Sequence, residues 1–495
     1  MTTLTTTWWT DRRVRWSVLV AAVLLVAYVE LLWVDAFPVG HHHTGDTNNL
    51  IAGARSALDC IDQGIWRNCG HDSGSPHTGV FHYPLLQYLP ASLAILLGAS
   101  DAAALGFLAR LNVLAFGGCL TLIWLALRQR PRLAALGVVA VLASAATYQS
   151  TSAFGEMFAA FVILGAVVSI RARRTLLIVA LTALACMAKE TVPPFLVVLG
   201  LLVGRDEKRL LPSRRLLSAM FAGITLGVLC NFGFNQFRFG TFSNLLLTQP
   251  MFRTPGWRLR FEILAGEWFS TVGGLVWFWP IATLVLASCA TIGLKRLLLT
   301  PRQPLDWIPP IAVTTIGLGY TFGLANWFAP FGWTAYGHRL AVPLLPALLV
   351  TALVIAEADL DSALARLGAR RFVAGVLLTG AVIISLPQLM APWTWRAAMG
   401  EMGAADADCS VPVYIDRTPD LYYHCLTDTM WAEDLSVLIA AAKGDGASTT
   451  ARVLGVVTVL SLGATALGIV PTNGRDASEA VTKDSSDESN VPMSC

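Results

Sequence analysis

Charge is what this chain has least of. Asp, Glu, Lys and Arg make up 14% of its 495 residues, against 55% hydrophobic residues and a mean hydropathy of +0.60. A soluble domain carries about 25% charged residues, so that class is excluded. No Walker loop, dinucleotide-type glycine loop or nucleophile elbow occurs, which removes soluble nucleotide and serine-hydrolase chemistry. Cys and His do not fall at structural-zinc spacing. The middles of the apolar runs are nearly free of charge and no internal repeat is visible, which argues against a transporter or lipid flippase, the main alternative from another class. With a net charge of +3, no nucleic-acid partner is expected.

What fills the chain instead is apolar runs of roughly bilayer-spanning length. They cover Trp16–Trp33, Ala103–Leu127, Leu133–Tyr148, Met157–Ile170, Leu216–Asn231, Val272–Leu294, Ile308–Gly323, Leu340–Ile355, Phe372–Met390 and Val453–Val470. The first lacks a small-residue cleavage site and is followed by more spans, so it reads as an anchor and not a leader. The expected fold is an all-α polytopic membrane protein.

Arg12, Arg13 and Arg15 place the N-terminus in the cytoplasm, because short cytoplasmic loops carry the Lys/Arg excess. Further clusters at Arg128/Arg130/Arg132, Arg171/Arg173/Arg174, Arg205–Arg215, Lys295/Arg296/Arg302 and Arg366/Arg370/Arg371 must share that side. This parity decides two segments. Pro84–Gly98, short and holding Pro90, is expected to lie in the outer interface. The stretch between Arg174 and Arg205 is expected to be a hairpin of two short helices, broken at Pro193–Pro194, with Lys189–Glu190 at its outer tip. The count comes to roughly twelve spans, with interfacial helices in the first outer loop. A catalytic core is expected over 1–391, with outer loop 35–102. An extracytoplasmic segment at 392–451, a last span at 452–470 and a disordered, Ser/Asp/Glu-rich cytoplasmic tail at 471–495 complete the chain.

The outer loops are chemically distinct. All eight histidines fall there, six of them between His41 and His82. Cys60 with Cys69, and Cys409 with Cys425, share outer loops and are disulfide candidates. Cys119, Cys186, Cys230 and Cys289 sit in apolar helices as packing residues.

Several positions could carry chemistry. Asp46, in HHHTGDTNN, precedes a run with Leu50, Ile51, Ala54, Leu58 and Ile61 at helical spacing. Asp46 or Thr47 can cap that helix, and Gly64 ends it. The plain role is an acidic cap, and the chemical one a general base held beside the membrane. Glu156 opens the fourth span, where the plain role is a dipole-favoured N-terminal carboxylate and the chemical one a second acid. Lys189 either pairs locally with Glu190 or points at an anionic headgroup. Arg339, beside His338, either snorkels or binds phosphate. Arg55, Arg110 and Arg238 are further cations of that kind. His41, His43 and Asp46 could hold a divalent cation; otherwise no cofactor or metal is expected.

The series FHYPLLQYLPASLAILLG, FLARLNVLAFGG, the acid opening the fourth span, ALACMAKET, NQFRFGTF and GHRL followed by PLLP resembles the GT-C superfamily of membrane glycosyltransferases. The likeness is to the protein O-mannosyltransferase and lipid A aminoarabinose transferase branch, over residues 10–391. It implies transfer of a sugar from a polyprenyl-phosphate donor to a cell-envelope acceptor at the outer face of the plasma membrane. By the same resemblance Asp46 and Glu156 are catalytic and Lys189 and Arg339 bind the donor phosphate. His338 is expected beside them at the phosphate, and His43, His82, Tyr83, Arg110 and Glu190 are candidate contacts to donor or acceptor. The chain carries Asp46–Thr47 where many relatives have two acids, and His82–Tyr83–Pro84 where the aminoarabinose enzymes have Glu-Lys-Pro.

Overall fold

In the computed structural model, residues 12–35, 45–69, 83–205, 211–243, 256–271, 273–326, 337–405, 430–431, 435–444 and 447–469 are described. Every regular element among them is helical. The chain begins with α1 (Arg12–Asp35), α2 (Gly45–Asp62), α3 (Leu85–Leu96), α4 (Asp101–Ala126), α5 (Pro131–Leu142) and a single turn, α6 (Ala146–Gln149). It continues with α7 (Glu156–Arg171), α8 (Thr175–Ala188), α9 (Pro193–Gly204), α10 (Arg214–Phe239), α11 (Trp257–Phe269) and the turn α12 (Leu275–Phe278). The last third holds α13 (Pro280–Leu299), α14 (Pro304–Leu324), α15 (Leu345–Ile355), α16 (Glu357–Ala369), α17 (Arg371–Ala405), α18 (Ser436–Lys443) and α19 (Thr449–Leu467).

Six of these helices (in α1, α4, α10, α13, α17 and α19) are long and apolar enough to cross a bilayer, and α3, α5, α8, α9 and α15 are shorter apolar helices. The molecule is an all-α polytopic membrane protein. Each apolar run read from the sequence corresponds to a helix, with shifts where proline intervenes. In the run Val272–Leu294 the long helix starts only at Pro280, after the single turn α12, because proline fits the first helical position and not the interior. Leu340–Ile355 is helical only from Leu345, after a 3-10 turn at Arg339–Ala341. The 175–205 stretch is the expected hairpin, broken at residues 189–192. α2 begins at Gly45, one residue before the expected cap, so Asp46 and Thr47 lie in its first turn; Gly64, at φ +74°, ends it as expected. α17 runs on to Ala405, through the boundary drawn at 391.

Close packing rests on small residues. Gly223 and Gly227, one turn apart on α10, face α8; a Cβ on Gly227 would lie 2.5 Å from Ala183 O. One turn on, Asn231 Nδ2 donates to Cys186 O at 2.8 Å. Small residues four apart with a polar residue beside them are a means of joining helices where no hydrophobic force acts between them. Tyr28 of α1 donates to Leu389 O of α17 at 2.8 Å, stands edge-on to Trp393 and lies against Gly455 of α19.

Two ends of the bundle differ in charge. At one, Arg130 pairs with Glu357 and Asp361, Arg171 with Glu357, Arg296 with Asp359, and Arg205 donates to Leu305 O. Basic groups from three of the clusters thus pair with acids of α16, and Arg205 lies within electrostatic range of Arg296 at the same end. The breaks at 143–155, 189–192 and 337–344 lie at the other ends of their helices.

Candidate active site

Irregular backbone at membrane depth survives only where it is buried in protein and its polar groups are satisfied. Between α5 and α7 the sequence SAATYQSTS supplies the means. Ser144, Thr147, Ser150, Thr151 and Ser152, all buried, donate their hydroxyls to the carbonyls of Val141, Leu142, Thr147, Tyr148 and Gln149. Asn112 of α4 then clamps the exit: its amide donates to Ser152 O and Phe154 O, and its carbonyl accepts from Phe158 N at 3.1 Å. The product of this folding is the position of Glu156, the first residue of α7, only 3% exposed.

Two cations converge on it. Lys189 Nζ, from the hairpin tip, lies 3.6 Å from Glu156 Oε1, and Arg339 Nε, from the 3-10 turn, lies 3.5 Å from the same oxygen. The Arg339 guanidinium also lies over the Phe154 ring, 4.2 Å from its centroid. Glu156 Oε2 is buried with no hydrogen-bond partner among the described residues. Three groups from separate stretches of sequence are therefore one buried ionic cluster.

The local Lys189–Glu190 pair considered from the sequence does not form. Glu190 turns the other way and accepts from Arg238 Nη2 at 2.6 Å. Arg238, almost fully buried, also donates to Tyr83 O at 2.6 Å and to Asn235 Oδ1, and is sandwiched by Phe234 and Phe239. Tyr83 N donates in turn to Tyr88 Oη of α3. Arg238 is thus a bracket joining α10, the hairpin tip and the entry to α3. The Cys60–Cys69 disulfide forms as expected, and Asn68 N donates to Gln236 O, so the first loop is fastened to the same end of α10.

Other expected site residues lie elsewhere or outside the described residues. Arg55 pairs with Asp101, exposed, and Arg110 lies over the Trp33 ring, so neither joins the cluster. His41, His43, His82, Cys409, Cys425 and the tail lie outside the described residues, as does the side chain of Asp46. Among the described residues no group of three His, Cys, Asp or Glu could hold a metal.

One group went unnoticed in the sequence. Glu267, on α11, is fully buried, and neither of its oxygens accepts a hydrogen bond among the described residues. His338 Nε2, also fully buried, is 3.9 Å away, beyond hydrogen-bond reach. Burial alone holds the Glu267 carboxyl well above the usual carboxylate range and lowers His338 to about 3. Tyr320, whose hydroxyl donates to Leu340 O at 2.6 Å, lies within electrostatic range of both Glu156 and Glu267. The signal that could have found Glu267 is an acid inside the apolar phrase ILAGEWF.

No protein-family model matches the chain, and no curated protein matches it. Among solved structures it is similar to ArnT from Cupriavidus metallidurans. The form bound to undecaprenyl phosphate matches at 15% identity and a TM-score of 0.40, over 95% of this chain and 81% of that one. The apo form matches at 15% identity and 0.38, over 93% and 80%.

Proposed function

We propose that this protein is an integral-membrane glycosyltransferase that moves a sugar from a polyprenyl-phosphate donor to an extracytoplasmic acceptor. One observation carries the reading. Two cations from separate stretches of sequence, Lys189 and Arg339, converge on the one carboxylate of Glu156. Cations held side by side in this way suit the oxygens of a phosphodiester, which accept charge-assisted hydrogen bonds. The lipid tail of such a donor would stay in the bilayer while its headgroup reached the cluster from the membrane surface.

Roles follow from the charges. Glu156, engaged by both cations, serves as the counter-ion that positions them. The acceptor hydroxyl attacks the anomeric carbon as the bond from that carbon to the phosphate oxygen breaks. Asp46 takes the hydroxyl proton, and the polyprenyl phosphate departs against Lys189 and Arg339. A single displacement inverts the anomeric centre. The acceptor is a hydroxyl of envelope glycan, lipid or protein, and the active end faces away from the cytoplasm, opposite the basic clusters.

Membranes holding the protein, supplied with a panel of lipid-phosphate sugars, test this directly. Transfer of one of these sugars, with inversion, is expected; no transfer and no binding of any lipid phosphate would refute the reading. An engineered cysteine near Gly79 should react with an impermeant thiol reagent in intact cells.

A further inference from the structure

An unmatched buried carboxyl is a cost to the fold, and such costs persist where a ligand removes them. Glu267 is such a group, on an element separate from the ion cluster, yet tied to it. His338 beside it immediately precedes Arg339, and Tyr320 lies within electrostatic range of both Glu267 and Glu156. A second unmatched group lies at the start of α7. Gln87, on α3, is almost fully buried and its amide Nε2 has no hydrogen-bond partner among the described residues. Its side chain lies so close to Gly155 that a Cβ there would sit 2.5 Å from Gln87 Cγ. Glu156 Oε2 is the third. Acceptors and a donor left open around one cluster match a neutral ligand carrying several hydroxyls.

We infer that Glu267 and Gln87 form the hydroxyl-binding half of the donor site, hydrogen-bonding the sugar ring while Lys189 and Arg339 hold the phosphate. The assignment rests on the glycosyltransferase reading above and adds the residues that recognise the sugar. No bond is made or broken at Glu267; it positions the ring. Burial raises its carboxyl well above the usual range and so favours the form that both donates to and accepts from a hydroxyl.

The test compares two ligands. Wild type, Glu267→Met and Glu267→Leu are placed in nanodiscs, and binding of undecaprenyl phosphate is measured beside that of its mannosyl, glucosyl and arabinosyl esters. Wild type should prefer at least one ester over the bare lipid phosphate. The two variants should bind the bare lipid as wild type does and lose about tenfold to hundredfold in affinity for that ester. Their melting temperatures should hold or rise, since an unmatched carboxyl has been replaced by an apolar group. Retention of the wild-type preference in either folded variant overturns the assignment. Failure of both to fold would make the carboxyl structural and overturn it too. If wild type binds neither form of the lipid, the fault lies with the glycosyltransferase reading itself.

Discussion

The two ends of the bundle spend their charge differently. Around α16, Arg130, Arg171 and Arg296 meet Glu357, Asp359 and Asp361 in pairs that are roughly one-fifth to two-fifths exposed. At the opposite end Glu156, Arg238, Glu267, His338 and Arg339 are all nearly or fully buried. Half-exposed pairs add about 0–1 kcal/mol each and tolerate rearrangement. Buried charges cost several kcal/mol to desolvate and recover it only through well-placed partners. A chain this poor in charge places its costly groups at one end, where stability alone would favour apolar residues. That asymmetry marks the end at which chemistry is expected.

The largest effect should come from Asp46. Asp46→Asn keeps size, and in the first turn of α2 it keeps the ability to hydrogen-bond the helix start. If Asp46 takes the acceptor proton, transfer should fall about 10²–10⁴-fold with insertion and melting temperature unchanged. Wild-type transfer in this variant would move the base elsewhere. Arg238→Met should come next, through stability. It strands Glu190 and removes the bracket on Tyr83, so about 3 kcal/mol should be lost. Adding Glu190→Gln should recover part of this, and a melting series in detergent that shows no recovery would mean the pair is not coupled.

Much of this was legible in the sequence, for identifiable reasons. Helices show in hydropathy because a bilayer demands long apolar runs, and the Lys/Arg clusters assign their ends because few charges occur elsewhere. Glu156, Lys189 and Arg339 stood out for the same reason, as ionisable groups at the mouths of apolar segments. Their pairing was not legible. Lys189 and Glu190 are adjacent, yet the chain is extended at Lys189, and the two side chains go to Glu156 and Arg238. Glu267 was missed because its burial arises in the tertiary packing of α11, where Ile263 clusters with Ala325 and Met430, and no local period announces that packing.

Lys189→Ala and Arg339→Ala sharpen the contrast at the next level. Each removes one charge-assisted contact, about 1.5–3 kcal/mol, so use of a lipid donor should drop roughly tenfold to hundredfold. Wild-type kinetics in both would reduce them to interfacial anchors. The Glu267–His338 pair adds a pH signature whose sign can be worked out. A carboxyl raised by burial gives stability that is full below about pH 4.3 and is lost as pH rises above it; an imidazole lowered by burial gives stability that is full above about pH 6.5 and is lost as pH falls below it. In Glu267→Gln only the second of these remains. The difference in melting temperature between wild type and variant should thus fall as pH rises above about 4.3. A difference independent of pH would show that burial does not raise the Glu267 carboxyl.

The smallest effect belongs to the other end. Asp359→Asn breaks the pair with Arg296, but both groups are about a third or more exposed. Arg296 keeps its bond to Asp306 O at 2.9 Å, so no charge is stranded away from water. Asp359 also stands in the first turn of α16, where a carboxylate gains about 0.3–1 kcal/mol from the helix dipole. The summed loss should stay near 1 kcal/mol and shrink further in high salt, because water and ions screen such pairs. Transfer should be unchanged, since the pair lies at the opposite end of the bundle from Glu156. If Asp359→Asn instead cost as much as Arg238→Met, or slowed transfer tenfold, the two ends would be energetically coupled. The division between a solvated end that orients the chain and a buried end that reacts would then fail.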